Sequence, residues 1–232
     1  MYSRPQKLVA EFVGTFALVF FGVGAICADQ FLRTSTTGQT GFGLLGIALA
    51  QGLTFGILVT ALGHISGGHF NPAVTIGFWV TRKFSTFDTL AYWIVQVAGA
   101  VAAAYLLRRL PFDAWGPVQV GAPDLANGIT RLTAIIFEGV ATFFLVFVFF
   151  ATAVDTRGAF DKVAGFAIGL TITMGILLVG PFTGGALNPA RAFGPALASN
   201  HWANHGVYWI GPLAGGVAAG WLYDTLFLGK QH

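Results

Sequence analysis

Two short stretches constrain this chain more than anything else in it. His64-Ile65-Ser66-Gly67-Gly68-His69-Phe70-Asn71-Pro72-Ala73 and Thr183-Gly184-Gly185-Ala186-Leu187-Asn188-Pro189-Ala190-Arg191 are both glycine-rich segments that run into Asn-Pro-Ala and then into apolar sequence. Asparagine is a favoured helix N-cap, and proline is preferred at the first helical position, where its missing N–H is no loss. Each Asn-Pro-Ala therefore reads as a helix start. The helix after Asn71 has only about ten residues before Arg82-Lys83, which at ~1.5 Å per residue is ~15 Å, half of a ~30 Å hydrocarbon core. Two such half-helices, meeting tip to tip, make one full crossing.

The rest of the chain places those stubs in a bilayer. Of 232 residues, 55% are hydrophobic and 9% are charged, whereas a soluble domain carries roughly 25% charged residues. The mean hydropathy is +0.73, and apolar runs of about 20 residues recur. The basic residues are scattered at segment ends, which fits a positive-inside bias and not a phosphate-binding face, so no nucleic-acid partner is expected. The single Cys27 excludes an intrachain disulfide and a cysteine metal cluster. The expected fold is all-α: six transmembrane helices at about 8–28, 41–62, 86–110, 131–154, 163–181 and 205–228. Two re-entrant half-helices, about 71–80 and 188–198, follow the second and fifth. Residues 8–28 are read as the first span and not as a cleaved signal.

The two halves repeat. Glu11-Phe12-Val13-Gly14-Thr15-Phe16 is echoed by Glu138-Gly139-Val140-Ala141-Thr142-Phe143. Each echo opens a half with three spans and one Asn-Pro-Ala loop. Three is odd, so the second half enters from the opposite face, as an inverted repeat. The whole of 1–232 is then one domain, with halves of about 1–110 and 131–232 joined by the polar loop 111–130. Six spans put both termini on one side. Assigning that side to the cytoplasm places Arg4, Lys7, Arg82, Lys83, Arg157, Lys162 and Lys230 inside and Arg33, Arg108, Arg109 and Arg131 outside, a mild positive-inside signal. A multi-pass protein of the cell inner membrane is expected.

Non-helical backbone at membrane depth survives only if buried in protein or lining a wet cavity. Gly67, Gly68, His69 and Phe70, with Gly184, Gly185, Ala186 and Leu187, are such backbone, and their carbonyls are expected to form a ladder of acceptors. Asn71 and Asn188 are expected to cap their helices through the side-chain oxygen, leaving amide N–H groups free to donate to a passing molecule. Both half-helices point positive ends at this spot, about half a unit charge each. Cations are repelled there, while a neutral molecule with an acceptor atom is held. Arg191 adds a fixed charge; a charge within a span costs ~2.5–3.5 kcal/mol or more and marks a functional candidate. His64 and His69 have no acidic partner nearby, so no metal site and no cofactor are expected.

With Gly63-His64-Ile65-Ser66-Gly67-Gly68-His69-Phe70-Asn71-Pro72-Ala73-Val74, Asn188-Pro189-Ala190-Arg191 and the two Glu openings, the chain resembles an aquaporin of the major intrinsic protein family, of bacterial type, over essentially its whole length. The resemblance implies a non-enzymatic channel for water or small uncharged solutes, a homotetramer with one pore per subunit, and Glu11 and Glu138 as braces of the re-entrant loops. Without it, Glu11 also reads as an interfacial or salt-bridging carboxylate.

The family's narrowest point falls, by offset from the motifs, on Gln51, Ile176, Gly185 and Arg191. Strict water channels resemble an aromatic at the first and a histidine at the second; neither is present here. The set is similar to the His-Ile-Gly-Arg filter of the ammonia-permeable plant vacuolar aquaporins, with Gln in place of His. Water conduction with leakage of ammonia, and of urea or hydrogen peroxide, is expected. Ala192 after Arg191 departs from the Asp of glycerol facilitators, which is the alternative reading. A secondary transporter is a more distant one. Gln51 also reads as interhelical glue.

Overall fold

The computed structural model describes residues 2–35, 40–109, 115–158 and 163–229. Lys162, Lys230 and parts of the 34–40 and 111–130 loops lie outside the described residues. The helices are α1 (Arg4–Ser35), α2 (Gly43–Ser66), α3 (Pro72–Val80), α4 (Thr86–Leu107), α5 (Arg131–Val154), α6 (Ala164–Thr183), α7 (Pro189–Ser199) and α8 (Val207–Tyr223), the last continuing as a π-helical turn over Asp224–Leu228. Helices α1, α2, α4, α5 and α6 are long and apolar enough to cross a membrane. Helix α8 has a similar run, but Gly211, Gly215, Gly216, Gly220 and Asp224 dilute its apolarity.

Helix α1 is longer at both ends than its apolar stretch of about 8–28. Ser3 and Gln6 close a capping box at its start, with Pro5 in the first turn; at its far end Arg33 Nε pairs with Asp29 Oδ2 one turn back at 2.7 Å. Polar ends thus carry a helix past its apolar stretch. Within it, Leu18–Val23 winds as a π-helical turn, which periodicity does not register. The start of α1 and the end of α8 share one end of the bundle. Arg4 pairs with Asp88 at the start of α4 and Lys83 with Asp224 at the end of α8, each at 2.8 Å.

Helices α2 and α6 are paired, as are α5 and α8, and each pair crosses on small residues. A Cβ on Gly165 would lie 2.4 Å from Gly56 O, and one on Gly215 would lie 2.1 Å from Gly139 O. In a bilayer such surfaces let backbones pack closely, since lipid gives no hydrophobic drive between helices. Outward-facing positions stay apolar and exposed, among them Phe21, Ile57, Ile94, Leu132, Phe166 and Trp221, as a lipid-facing surface requires. Polar groups concentrate instead at the centre, where Glu11, Gln51, Asn71, Gln96, Glu138, Asn188 and Arg191 are all buried.

Candidate functional site

Two loops dip to that centre. The first begins where Gly67 ends α2 in the left-handed conformation (φ 95), its N–H on Gly63 O at 2.8 Å. The second begins where Gly184 ends α6 in the same way (φ 80, N–H on Gly180 O at 2.9 Å). Only glycine takes this backbone without a steric penalty. Just before the asparagines, Phe70 (φ 47) and Leu187 (φ 52) are also left-handed. That costs energy for residues with side chains, so surrounding bonds must impose it.

Those bonds come from two buried carboxylates. Glu11 Oε1 accepts from Ser66 Oγ at 2.8 Å and from His69 N–H at 2.9 Å; Oε2 accepts from Phe70 N–H at 2.7 Å. Glu138 Oε1 accepts from Thr183 Oγ1 at 2.6 Å and from Ala186 N–H at 3.0 Å; Oε2 accepts from Leu187 N–H at 2.7 Å. The strained residue of each loop thus donates to a carboxylate, a strong charge-assisted acceptor when ionised. Tyr92 and Tyr208 add a bond each, to Ser66 O and Thr183 O, both at 2.8 Å. Among the described residues neither carboxylate has a cation within 4 Å.

Asn71 and Asn188 cap α3 and α7: Asn71 Oδ1 accepts from Ala73 N–H at 2.8 Å, and Asn188 Oδ1 from Ala190 and Arg191 N–H at 3.0 and 3.2 Å. Pro72 and Pro189 take the first helical position. The two side chains also reach across to the opposite loop. Asn71 Nδ2 donates to Leu187 O and Asn188 Nδ2 to Phe70 O, each at 2.9 Å. This corrects the expectation of free amides, since one N–H of each binds the other loop and only the second remains. The Phe70 and Leu187 carbonyls likewise serve as acceptors of those crossing bonds.

Beside this junction, Arg191 Nε donates to Gln51 Oε1 at 3.2 Å and Nη1 to Gly121 O at 2.9 Å. A narrow cavity of about 10 Å³ is lined by Gln51, Asn71, Asn188, Arg191, Ala186 and Leu187, closed by Leu18, Phe55, Leu145 and Ile172. Ile176 is buried one turn along from Ile172, against Gly185, where an added Cβ would lie 3.4 Å from Ile176 Cα. Gly67, with His64, borders a separate and wider space of about 380 Å³, and Gly68 is buried. The His69 ring is packed by Phe78, Phe84, Tyr92 and Phe149, with Nδ1 on Thr75 Oγ1 at 3.1 Å. Thr75 Oγ1 donates to Asn71 O, so its hydrogen is committed and His69 Nδ1 must be the donor.

Several participants escape a reading by motif. Gln96 Nε2 reaches Glu11 Oε2 at 2.8 Å and Thr75 Oγ1 at 3.1 Å. Ser66 and Thr183, and Tyr92-Trp93 and Tyr208-Trp209, carried a usable signal, since each pair recurs at the same place in both halves. Gly121 carried none.

Helices of membrane length around a buried polar junction, with two half-helices aimed at each other inside it, define a membrane channel. The chain belongs to the major intrinsic protein family, whose model matches residues 2–223. It is 40% identical to Aquaporin TIP2-1 of Arabidopsis thaliana over 98% of this chain and 89% of that one, and 41% identical to Aquaporin TIP4-4 of Zea mays over 97% and 88%. Its fold is similar to that of the aquaglyceroporin from Plasmodium falciparum, with a TM-score of 0.80, 25% identity and 97% of both chains covered. It is an integral multi-pass membrane protein and a passive channel, not an enzyme, for water and small neutral solutes.

Proposed function

We propose that the path runs between the two loops, past Asn71 and Asn188, to a throat of Gln51, Ile176, Gly185 and Arg191. The observation that carries this is the direct Gln51–Arg191 bond in the same narrow cavity as both asparagines. Carbonyls of Gly67, Gly68, His69, Gly184, Gly185 and Ala186 supply acceptors along the way, while Glu11 and Glu138 hold the loops in shape. The halves 1–110 and 131–232 act as inverted repeats, so the two half-helix dipoles oppose each other and turn cations away. With no aromatic and no histidine in the throat, it passes water together with ammonia, and admits urea and hydrogen peroxide. The chain works as a homotetramer in the cell inner membrane, with the end bearing Arg4, Lys7, Arg82, Lys83 and Arg157 in the cytoplasm.

Stopped-flow measurements on proteoliposomes test this with water, ammonia, urea and glycerol. Ammonia flux above that of empty vesicles is expected, with little glycerol flux. The double substitution Gln51→Phe, Ile176→His narrows the throat and adds a fixed donor; it is expected to lower ammonia and urea flux about tenfold while water flux persists. Unchanged selectivity in that variant places the throat elsewhere. Rapid glycerol flux in the wild-type chain assigns it to the facilitator type.

A further inference from the structure

The polar groups of the narrow cavity are unbalanced. Arg191 carries only donors. Its Nε and Nη1 are taken by Gln51 Oε1 and Gly121 O, while Nη2 is buried without a partner among the described residues. An arginine cannot accept, so the Gln51 amide must turn its oxygen to the guanidinium and its nitrogen away. Among the described residues Gln51 Nε2 is also buried and unpartnered. The two residues are 3% and 1% exposed. Buried donors without partners are destabilising, and that cost is relieved when an acceptor reaches them.

Packing adds a second lock. The π-helical turn Leu18–Val23 sets Gly22 against α2 at Gln51. A Cβ on Gly22 would lie 2.9 Å from Gln51 Cγ and 3.2 Å from Gln51 Cα. The bare glycine leaves the Gln51 stem where its oxygen reaches Arg191. Turns of this kind are rare in helices and recur at functional sites.

We propose that Gln51 is a one-way donor, held by Arg191 at its oxygen and by Gly22 at its stem, so that the throat prefers small solutes with oxygen acceptors, water and hydrogen peroxide, over ammonia. This rests on the assignment of Gln51 and Arg191 to the throat. A water or peroxide oxygen has two lone pairs and accepts from both residues. Ammonia has one lone pair and brings three donors that find no side-chain acceptor between Gln51 and Arg191. Ammonium has no lone pair and meets the Arg191 charge. A histidine at position 51 would accept or donate according to its tautomer; Gln51 has no such freedom while Arg191 holds its oxygen.

The test measures water, hydrogen peroxide and ammonia permeability of proteoliposomes containing the full chain, as wild type, Gln51→Glu, Gln51→Leu and Gly22→Ala. Gln51→Glu turns an acceptor oxygen to the lumen and is expected to lower the peroxide-to-ammonia ratio about fivefold, the scale of one hydrogen bond. Gln51→Leu and Gly22→Ala lower it less, the latter without touching the lumen. A Gln51→Glu ratio at or above wild type, with Gln51→Leu altering absolute permeabilities, overturns the one-way donor and leaves the throat assignment intact. If neither Gln51 variant alters any permeability, both fall. A wild-type ratio in Gly22→Ala removes the second lock. The wild-type chain alone gives an independent reading, since conduction of ammonia faster than peroxide overturns the proposal even if no variant folds.

Discussion

The two loop systems share a frame and differ in what fills it. Glu11 and Glu138 each accept from a hydroxyl and two backbone N–H groups; each loop turns through two left-handed glycines and a left-handed Phe70 or Leu187; each asparagine binds the opposite carbonyl. Around Glu11 the frame is completed by neutral donors, with Gln96 on Oε2 and the His69–Thr75 pair behind it. Around Glu138 no such amide is found among the described residues. Instead Arg191 stands one turn into α7, its charge acting on Glu138 through space, and Ala186 replaces His69. The frame is thus duplicated and the chemistry is not. The Glu11 frame is closed by neutral donors, while the second half adds the Arg191 cation to a cavity that Gln51 and Asn71 of the first half also line.

Removing the carboxylates tests this difference most severely. Glu138→Leu orphans the Ala186 and Leu187 N–H donors, leaves Thr183 Oγ1 only Val179 O as acceptor, and leaves Arg191 a buried cation without its nearby anion; a loss of ~3–5 kcal/mol is expected. Glu11→Leu orphans Ser66, His69, Phe70 and Gln96 donors, at ~3 kcal/mol or more. Thermal unfolding in detergent measures both. Arg191→Leu added to each is expected to recover part of the Glu138→Leu loss and none of the Glu11→Leu loss. Equal rescue of both variants would erase the distinction between the halves.

The asparagines should show the shared frame instead. Asn71→Ala and Asn188→Ala each lose a helix cap, ~1 kcal/mol, and a crossing bond, another ~1 kcal/mol. Similar losses of ~2 kcal/mol in the two variants are expected from unfolding midpoints, slightly more for Asn188, which caps two N–H groups. A gap of several kcal/mol between them would mean that the loops are not equivalent at the junction.

The doubled Asn-Pro-Ala made the fold readable, because capping preferences are local and half-length helices are conspicuous in a chain so apolar. Repetition singled out Glu11 and Glu138, but their role as braces came only through the resemblance to the family. The crossing bonds of Asn71 and Asn188 were not, since they join residues on different loops and depend on how closely the tips approach. Gln96 looked like any polar residue in a span, and the π-helical turn at Leu18–Val23 leaves no mark on hydrophobic periodicity. Gly121 lies in a loop with no periodicity, and only the Arg191 guanidinium reveals what its carbonyl does.

The smallest effect belongs to the end of the bundle nearest Arg191, where the loop carrying Gly121 is tied down outside the spans. Asp124 binds His201 Nε2 at 2.8 Å and Asn204 Nδ2 at 3.1 Å, and Arg131 Nε donates to Asn204 Oδ1 at 2.9 Å. Burial alone would raise the Asp124 carboxyl, but the Leu125 N–H, Asn204 and His201 outweigh it and hold the group below its ordinary value. A carboxyl lowered on folding stabilises the folded state when ionised. Its contribution is complete above the unfolded value of about 4 and fades as pH falls through the lower folded one. The contribution of the ionised Asp124 carboxylate is therefore constant from neutral pH down to about 5 and fades only in stronger acid. Being largely exposed, it is expected to contribute less than ~1 kcal/mol. Asp124→Asn should leave stability nearly unchanged at pH 7 and flatten its decline below pH 4, read from unfolding midpoints across an acid series. A decline that begins well above pH 5 and disappears in Asp124→Asn would reverse the sign of the shift, and the loop that holds Arg191 would then be tied by something other than an ionised Asp124.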